Sequence, residues 1–107
     1  ALTPGARVQD VDAAARAVVE AEGFGTAVRH ATGHGLGLEV HEAPRLSREA
    51  PDDTPPLAAG MVVTVEPGAY PHGSPHATGV RIEDDLIVAE GAPEWLTDAP
   101  RGLSVVD

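Results

Sequence analysis

The chain is expected to fold as an α+β unit in which one amphipathic helix packs on a mainly antiparallel sheet. Two observations predict this: a single run with helical apolar spacing stands near the N-terminus, and three strand-like runs follow it. A third is punctuation. With 12 Gly and 10 Pro in 107 residues, long helices beyond the first segment are disfavoured and turns between strands are favoured.

In the first run Val8, Val11, Ala15, Val18 and Val19 recur at spacings of three and four, the period of a helix with one apolar face. Asp10 and Asp12 fall in its first turn, where acidic groups oppose the positive end of the helix dipole. Gly23 stands where a C-terminal cap belongs, so the spacing predicts a helix over Val8 to Glu22. Thr3-Pro4-Gly5 before it reads as a turn leaving an earlier element, cut at Ala1.

The strand-like runs are Leu36 to His41, Met61 to Val65 and Val80 to Val88. Pro44 through Gly60, rich in Pro, Asp and Ser, reads as a surface loop. Pro67 to Gly79 holds three Pro and three Gly and suggests a hairpin with a long, shaped connection. After Glu90 come Trp95-Leu96 and a polar stretch with Pro and Gly, expected to dock little. No internal repeat or low-complexity tract is visible.

Composition excludes several function classes. Seventeen acidic against seven basic side chains give a net charge of −10, and every basic residue is Arg. Nucleic-acid binding needs the opposite, a concentrated basic face that displaces counterions. With no Cys, there are no disulfides, thiolate metal sites or cysteine nucleophiles. No run approaches the roughly 18 to 20 apolar residues of a membrane span, and no signal-peptide pattern opens the chain. A cytoplasmic protein without membrane partners is the expectation. Ala and Val supply most of the apolar residues, with one each of Phe, Trp, Tyr and Met, so the core should be thin.

Chemistry concentrates in three segments. The first, His30 to Glu42, carries His30, His34 and His41 within twelve positions, with Gly33, Gly35 and Gly37 leaving room for close backbone approach. The second is Thr64-Val65-Glu66-Pro67-Gly68, where Pro stops a β-branched run just after an acid. The third is Val80-Arg81-Ile82-Glu83-Asp84-Asp85. Alternation puts Thr64 and Glu66 opposite Val63 and Val65, and Arg81 and Glu83 opposite Val80 and Ile82. If the Val/Ile faces meet the helix, Glu66 and Glu83 share the other face. Seven positions separate His34 from His41, which strict alternation would place on opposite faces. Either a bulge intervenes or, as the flanking glycines favour, His34 sits in a turn just before the strand.

One imidazole and two carboxylates on one sheet face make an all-N/O site suited to zinc, manganese, cobalt or iron. Such carboxylates can bridge two metals, and a bridging hydroxide is a nucleophile at neutral pH. The same residues also read as a solvated His34, an ordinary turn acid at Glu66 and a surface charge cluster around Glu83. Residue type and spacing alone leave both readings open.

Taken together, the segments resemble the pita-bread metallopeptidases: methionine aminopeptidases, Xaa-Pro aminopeptidases, prolidases and their inactive relatives. The resemblance runs from Thr3 to Gly91 and is closest to the proline-peptidase branch. It rests on His30, His34-Gly35 and His41, on the Leu57 to Gly68 segment with Gly-Met-Val-x-Thr-x-Glu-Pro-Gly, and on Gly-x-Arg-Ile-Glu-Asp at Gly79 to Asp84. Methionine aminopeptidases usually lack the Arg before the last glutamate.

The resemblance implies the C-terminal half of a pita-bread domain over residues 1–107, from a parent that hydrolyses the peptide bond preceding proline. It implies His34, Glu66 and Glu83 as metal ligands, with Glu83 bridging two divalent ions such as manganese, cobalt or zinc. Glu66 would also carry the proton between the attacking water and the leaving amine. His41 would hydrogen-bond the scissile carbonyl. His30 would help to form the prolyl-side pocket, and Arg81 would orient the metal-binding carboxylates. His72 and His76 match no family motif and read as loop residues.

Family members take two further ligands from upstream Asp residues, and none of the eight Asp here stands in such a setting. The missing N-terminal half is therefore an expected partner, beside a peptide substrate with proline in second position and a second copy of the parent, since family members commonly dimerise. Alone, this chain is expected to hold at most one metal weakly and to lack peptidase activity. Competing expectations are a non-catalytic pita-bread binding module, a methionine aminopeptidase, or a metal-independent hydrolase of small amidino compounds.

Overall fold

A computed structural model describes residues 1–72 and 78–106. Helix α1 spans Val8–Ala21, close to the expected bounds. Its stop is a Schellman arrangement: Gly23 has φ +84°, its N–H donates to Glu20 O, and Phe24 N–H donates to Val19 O. Val8 and Val11 are buried, whereas Val18 is 68% exposed, so only the first half of the helix packs on the core. Asp10 lies in the first turn. Asp12 departs from the expectation: it is fully buried, four residues after Val8 on the apolar face.

Among the described residues seven short strands follow a 3-10 turn at Gly25–Ala27: β1 Gly33–Gly35, β2 Glu42–Leu46, β3 Val62–Val65, β4 Gly68–Ala69, β5 Val80–Arg81, β6 Asp84–Ile87 and β7 Glu94–Trp95. Five form one antiparallel sheet in the order β2-β1-β3-β6-β7, and β4 pairs with β5 antiparallel beside it. Leu46, Leu57, Val63, Leu86 and Val88 meet Leu2, Val8 and Val11 in the core. The accessible surface is 7092 Å², against roughly 5,600 Å² for a compact domain of this mass. The thin, open core expected from the composition is present.

Five expectations need correcting. Leu36 to His41 is not a strand: Leu38 is fully exposed and Val40 is 67% exposed. The strand instead precedes that run, and His34 is its middle residue rather than part of a turn; the register shifts between His34 and Gly35. Strand β1 is squeezed between two backbones. A Cβ on Gly33 would strike Thr64 O, and one on Gly35 would strike Ala43 O. Pro44, Arg45 and Leu46 belong to β2, so the loop begins at Ser47.

Val80 to Val88 is broken into β5 and β6, with Ile82 and Glu83 between them, because β5 pairs with β4 and β6 with β3. The long connection joining β4 to β5 is the expected hairpin, of which residues 73–77, and with them His76, lie outside the described residues. Finally, the tail docks. Strand β7 pairs with β6, Thr97 Oγ1 donates to Asp84 Oδ1 at 2.8 Å, and Arg101 bonds both Asp84 oxygens at 2.8 and 2.9 Å. Hydrogen bonding to Arg101 outweighs desolvation and holds the Asp84 carboxyl below the usual range.

Candidate active site

Strand β3 sorts its side chains as alternation requires. Val63 and Val65 turn to the core, while Thr64 and Glu66 turn to the opposite face, where Thr64 Oγ1 donates to Glu66 Oε1 at 3.1 Å. That hydroxyl also accepts from His34 N at 3.1 Å, which ties β1 to β3 at the glycine-flanked position. Glu66 N–H donates to Thr32 O at 2.7 Å, so the acid is fixed at both backbone and side chain.

His34 Nδ1 lies 2.9 Å from Gly35 O and donates to it, which leaves a lone pair on Nε2. Nε2 lies 3.1 Å from Glu66 Oε1. Two acceptors facing each other at this distance are satisfied either by a proton on the imidazole or by a metal cation between them. A backbone carbonyl on the far ring nitrogen is the usual outer support of a metal-binding histidine. The nitrogen and carboxylate donors therefore fit a divalent ion. Glu83 is exposed and lines the same small recess, with His34, Thr64, Glu66, Arg81 and Asp85. Among the described residues no three His, Cys, Asp or Glu groups converge into a ready-made metal cluster.

A larger cleft of about 590 Å³ opens beside this recess, a size suited to small ligands. His30, His34, His41, Glu66 and Arg81 all line it, bringing five of the six sequence-derived residues to one cavity. The His41 and His34 rings lie 4.5 Å apart at 57°, with His41 exposed and free to meet a ligand. Arg81 Nε stands 3.7 Å from Glu66 Oε2, on the side away from His34. His72 is exposed, as a loop residue would be.

Sequence reasoning missed several supports. Tyr70 donates its hydroxyl to His30 Nε2 at 2.8 Å, while His30 Nδ1 donates to Ala31 O. Its position four residues after Glu66 carried no signal by itself. Asp12 accepts from Thr32 N and Oγ1, from Arg48 N and from Arg16 Nε, and Arg16 also donates to His30 O at 2.9 Å. These bonds fasten the helix to the segment that enters β1. Burial pushes the Asp12 carboxyl up, but Arg16, Thr32 and Arg48 together overcome that and hold it below the ordinary range. An acid on an apolar helix face with Arg four residues later was the available signal.

Residues 1–90 match the model of metallopeptidase family M24. The chain is 41% identical over 103 residues to an Xaa-Pro dipeptidase of Pyrococcus furiosus, covering 96% of this chain and 28% of that protein. Among solved structures it resembles an X-Pro aminopeptidase from Thermotoga maritima, with TM-score 0.84 and 39% identity over 97% of this chain and 28% of the other. An Xaa-Pro dipeptidase from Bacillus anthracis gives TM-score 0.85 and 41% identity, with the same coverage. The helix on a mainly antiparallel sheet is thus part of a pita-bread fold, as the motifs imply. Among the described residues no helix is long and apolar enough to cross a membrane.

Proposed function

The chain belongs to metallopeptidase family M24, and from that premise we propose that its parent protein hydrolyses the peptide bond preceding proline, with this chain supplying His34, Glu66 and Glu83 to the metal site. The observation that carries the reading is the His34 Nε2 to Glu66 Oε1 approach of 3.1 Å, with His34 Nδ1 committed to Gly35 O. Manganese, cobalt and zinc all accept this donor set, and a bound divalent ion would supply Lewis acidity and a water acidic enough to attack at neutral pH.

Around that centre each side chain has a task. Glu66 accepts the proton of the attacking water and returns it to the leaving prolyl nitrogen. Arg81, beside Glu66 Oε2, holds that carboxylate in its orientation. His41 reaches the scissile carbonyl from the exposed rim and hydrogen-bonds the oxygen as negative charge develops on it. His30, steadied by Tyr70, forms the wall against which the proline ring rests.

The chain spans 28% of the length of the relatives compared. The remaining ligands in this reading are two Asp from an upstream half of the domain, and the chain by itself is inactive. The parent works in the cytoplasm and pairs with a second copy. Calorimetric titration of Mn²⁺ into the chelator-stripped parent, followed by assays on Ala-Pro and Met-Ala, tests the reading. It expects stoichiometric binding and cleavage of Ala-Pro only on metal addition. Full cleavage without metal, or preference for Met-Ala, would overturn it.

A further inference from the structure

Glu83 occupies an unusual place for a residue that must be aimed. It stands at the break between β5 and β6, where neither it nor Ile82 takes part in a strand ladder. Its own side chain is exposed and makes no ion pair among the described residues. The next residue, Asp84, is by contrast buried, opposite Val65 in the β3–β6 ladder. Arg101 grips it through Nε at 2.9 Å and Nη2 at 2.8 Å, and Thr97 Oγ1 adds a bond of 2.8 Å. Thr97 Oγ1 also receives Asp85 N–H at 3.2 Å, and Leu96 N–H donates to Asp85 O at 2.8 Å.

Arg101 is itself fixed, its guanidinium lying 4.6 Å from the Trp95 ring centroid, and Trp95 pairs with Leu86 in the β6–β7 ladder. Residues 99–103 and Val80 to Asp84 face each other across one groove. The tail thus wraps behind the Ile82–Glu83 break and holds it by its neighbour.

We propose that Arg101 is a positioning residue for Glu83: its two-pronged bond to Asp84 fixes the backbone at the strand break and so aims the Glu83 carboxylate into the recess shared with His34 and Glu66. This rests on reading Glu83 as a metal ligand. A carboxylate anchored by a planar guanidinium has both its distance and its rotation set, which a point charge such as Lys cannot reproduce. An outer support of this kind contributes roughly 10–100-fold to metal affinity.

The test compares the full-length parent with its Arg101→Gln, Arg101→Lys and Glu83→Gln variants, titrating Mn²⁺ by calorimetry and recording the metal-free melting temperature of each. The expected result is that Arg101→Gln weakens Mn²⁺ binding about tenfold or more and that Arg101→Lys recovers only part of it, at melting temperatures close to that of the unaltered protein. Unchanged affinity in Arg101→Gln while Glu83→Gln binds weakly would overturn the positioning role alone. Unchanged affinity in Glu83→Gln would overturn the ligand reading on which it rests. If Arg101→Gln does not fold, Arg101→Lys decides: affinity equal to that of the unaltered protein contradicts the proposal, and a loss at an unchanged melting temperature supports it.

Discussion

His34 Nε2 and Glu66 Oε1 face each other at 3.1 Å, one side chain from β1 and one from the residue that follows β3. Thr64 braces both, through the His34 N–H and Glu66 Oε1. The sheet brings two groups 32 positions apart in the chain into direct contact before any ligand enters.

His41, whose ring lies 4.5 Å from that of His34, is in the proposed reading the donor to the developing charge. Replacing it with Ala in the parent is expected to lower kcat on Ala-Pro by about 100-fold to 1,000-fold, with metal affinity unchanged. Steady-state kinetics beside a Mn²⁺ titration checks this. A rise in KM at constant kcat would show that His41 binds substrate without stabilising the transition state.

Gly33 has no room for a side chain, since a Cβ there would strike the Thr64 carbonyl oxygen. Gly33→Ala should separate β1 from β3, lower the melting temperature and weaken Mn²⁺ binding together. Gly91, with nothing within 4 Å of its virtual Cβ, should accept Ala without effect on either. Equal behaviour of the two variants in thermal melts would contradict the close-packed β1.

Asp12 satisfies Arg16, Thr32 and the Arg48 N–H from a fully buried position. Asp12→Ala strands all three and should cost about 3 kcal/mol or more. Urea unfolding of the metal-free parent measures it, and a cost below about 1 kcal/mol would mean that the network rearranges freely.

The same carboxyl makes a pH prediction. Its folded pKa lies below its unfolded one, so the unfolded chain takes up the proton first as acid is added. The stability that Asp12 contributes is complete above its unfolded value near 4 and is lost as the pH falls below it. The difference in unfolding free energy between the parent and its Asp12→Asn variant should be constant near neutrality and shrink below about pH 4. A difference independent of pH down to about 2 would contradict the assignment.

Much of this was legible in the sequence because it depends on local period. The helix followed from Val8, Val11, Ala15 and Val19, its stop from Gly23, and the Glu66 face from Val63-Thr64-Val65. The first strand was misplaced because Leu36, Leu38 and Val40 alternate like a strand, while the true strand is Gly-His-Gly. Its stability comes from flanking backbones that demand glycine, which no propensity reports. The docked tail was equally hidden. Arg101 and Asp84 are 17 positions apart, and their bond has no local period to betray it. The motif residues stand out by type and spacing, and Thr64 shares the Glu66 face by alternation, whereas the bonds of Tyr70 to His30 and of Asp12 to Thr32 and Arg48 join segments distant in the chain.

The most direct test of the central claim is the rate at which the full-length parent, loaded with Mn²⁺, cleaves Ala-Pro compared with Ala-Ala, before and after Glu66→Gln. The account predicts cleavage of Ala-Pro in strong preference to Ala-Ala, and a loss of more than about 1,000-fold in the variant, since one group serves as both ligand and proton carrier. Comparable cleavage of both dipeptides, or a Glu66→Gln variant as active as the unaltered protein, would contradict it.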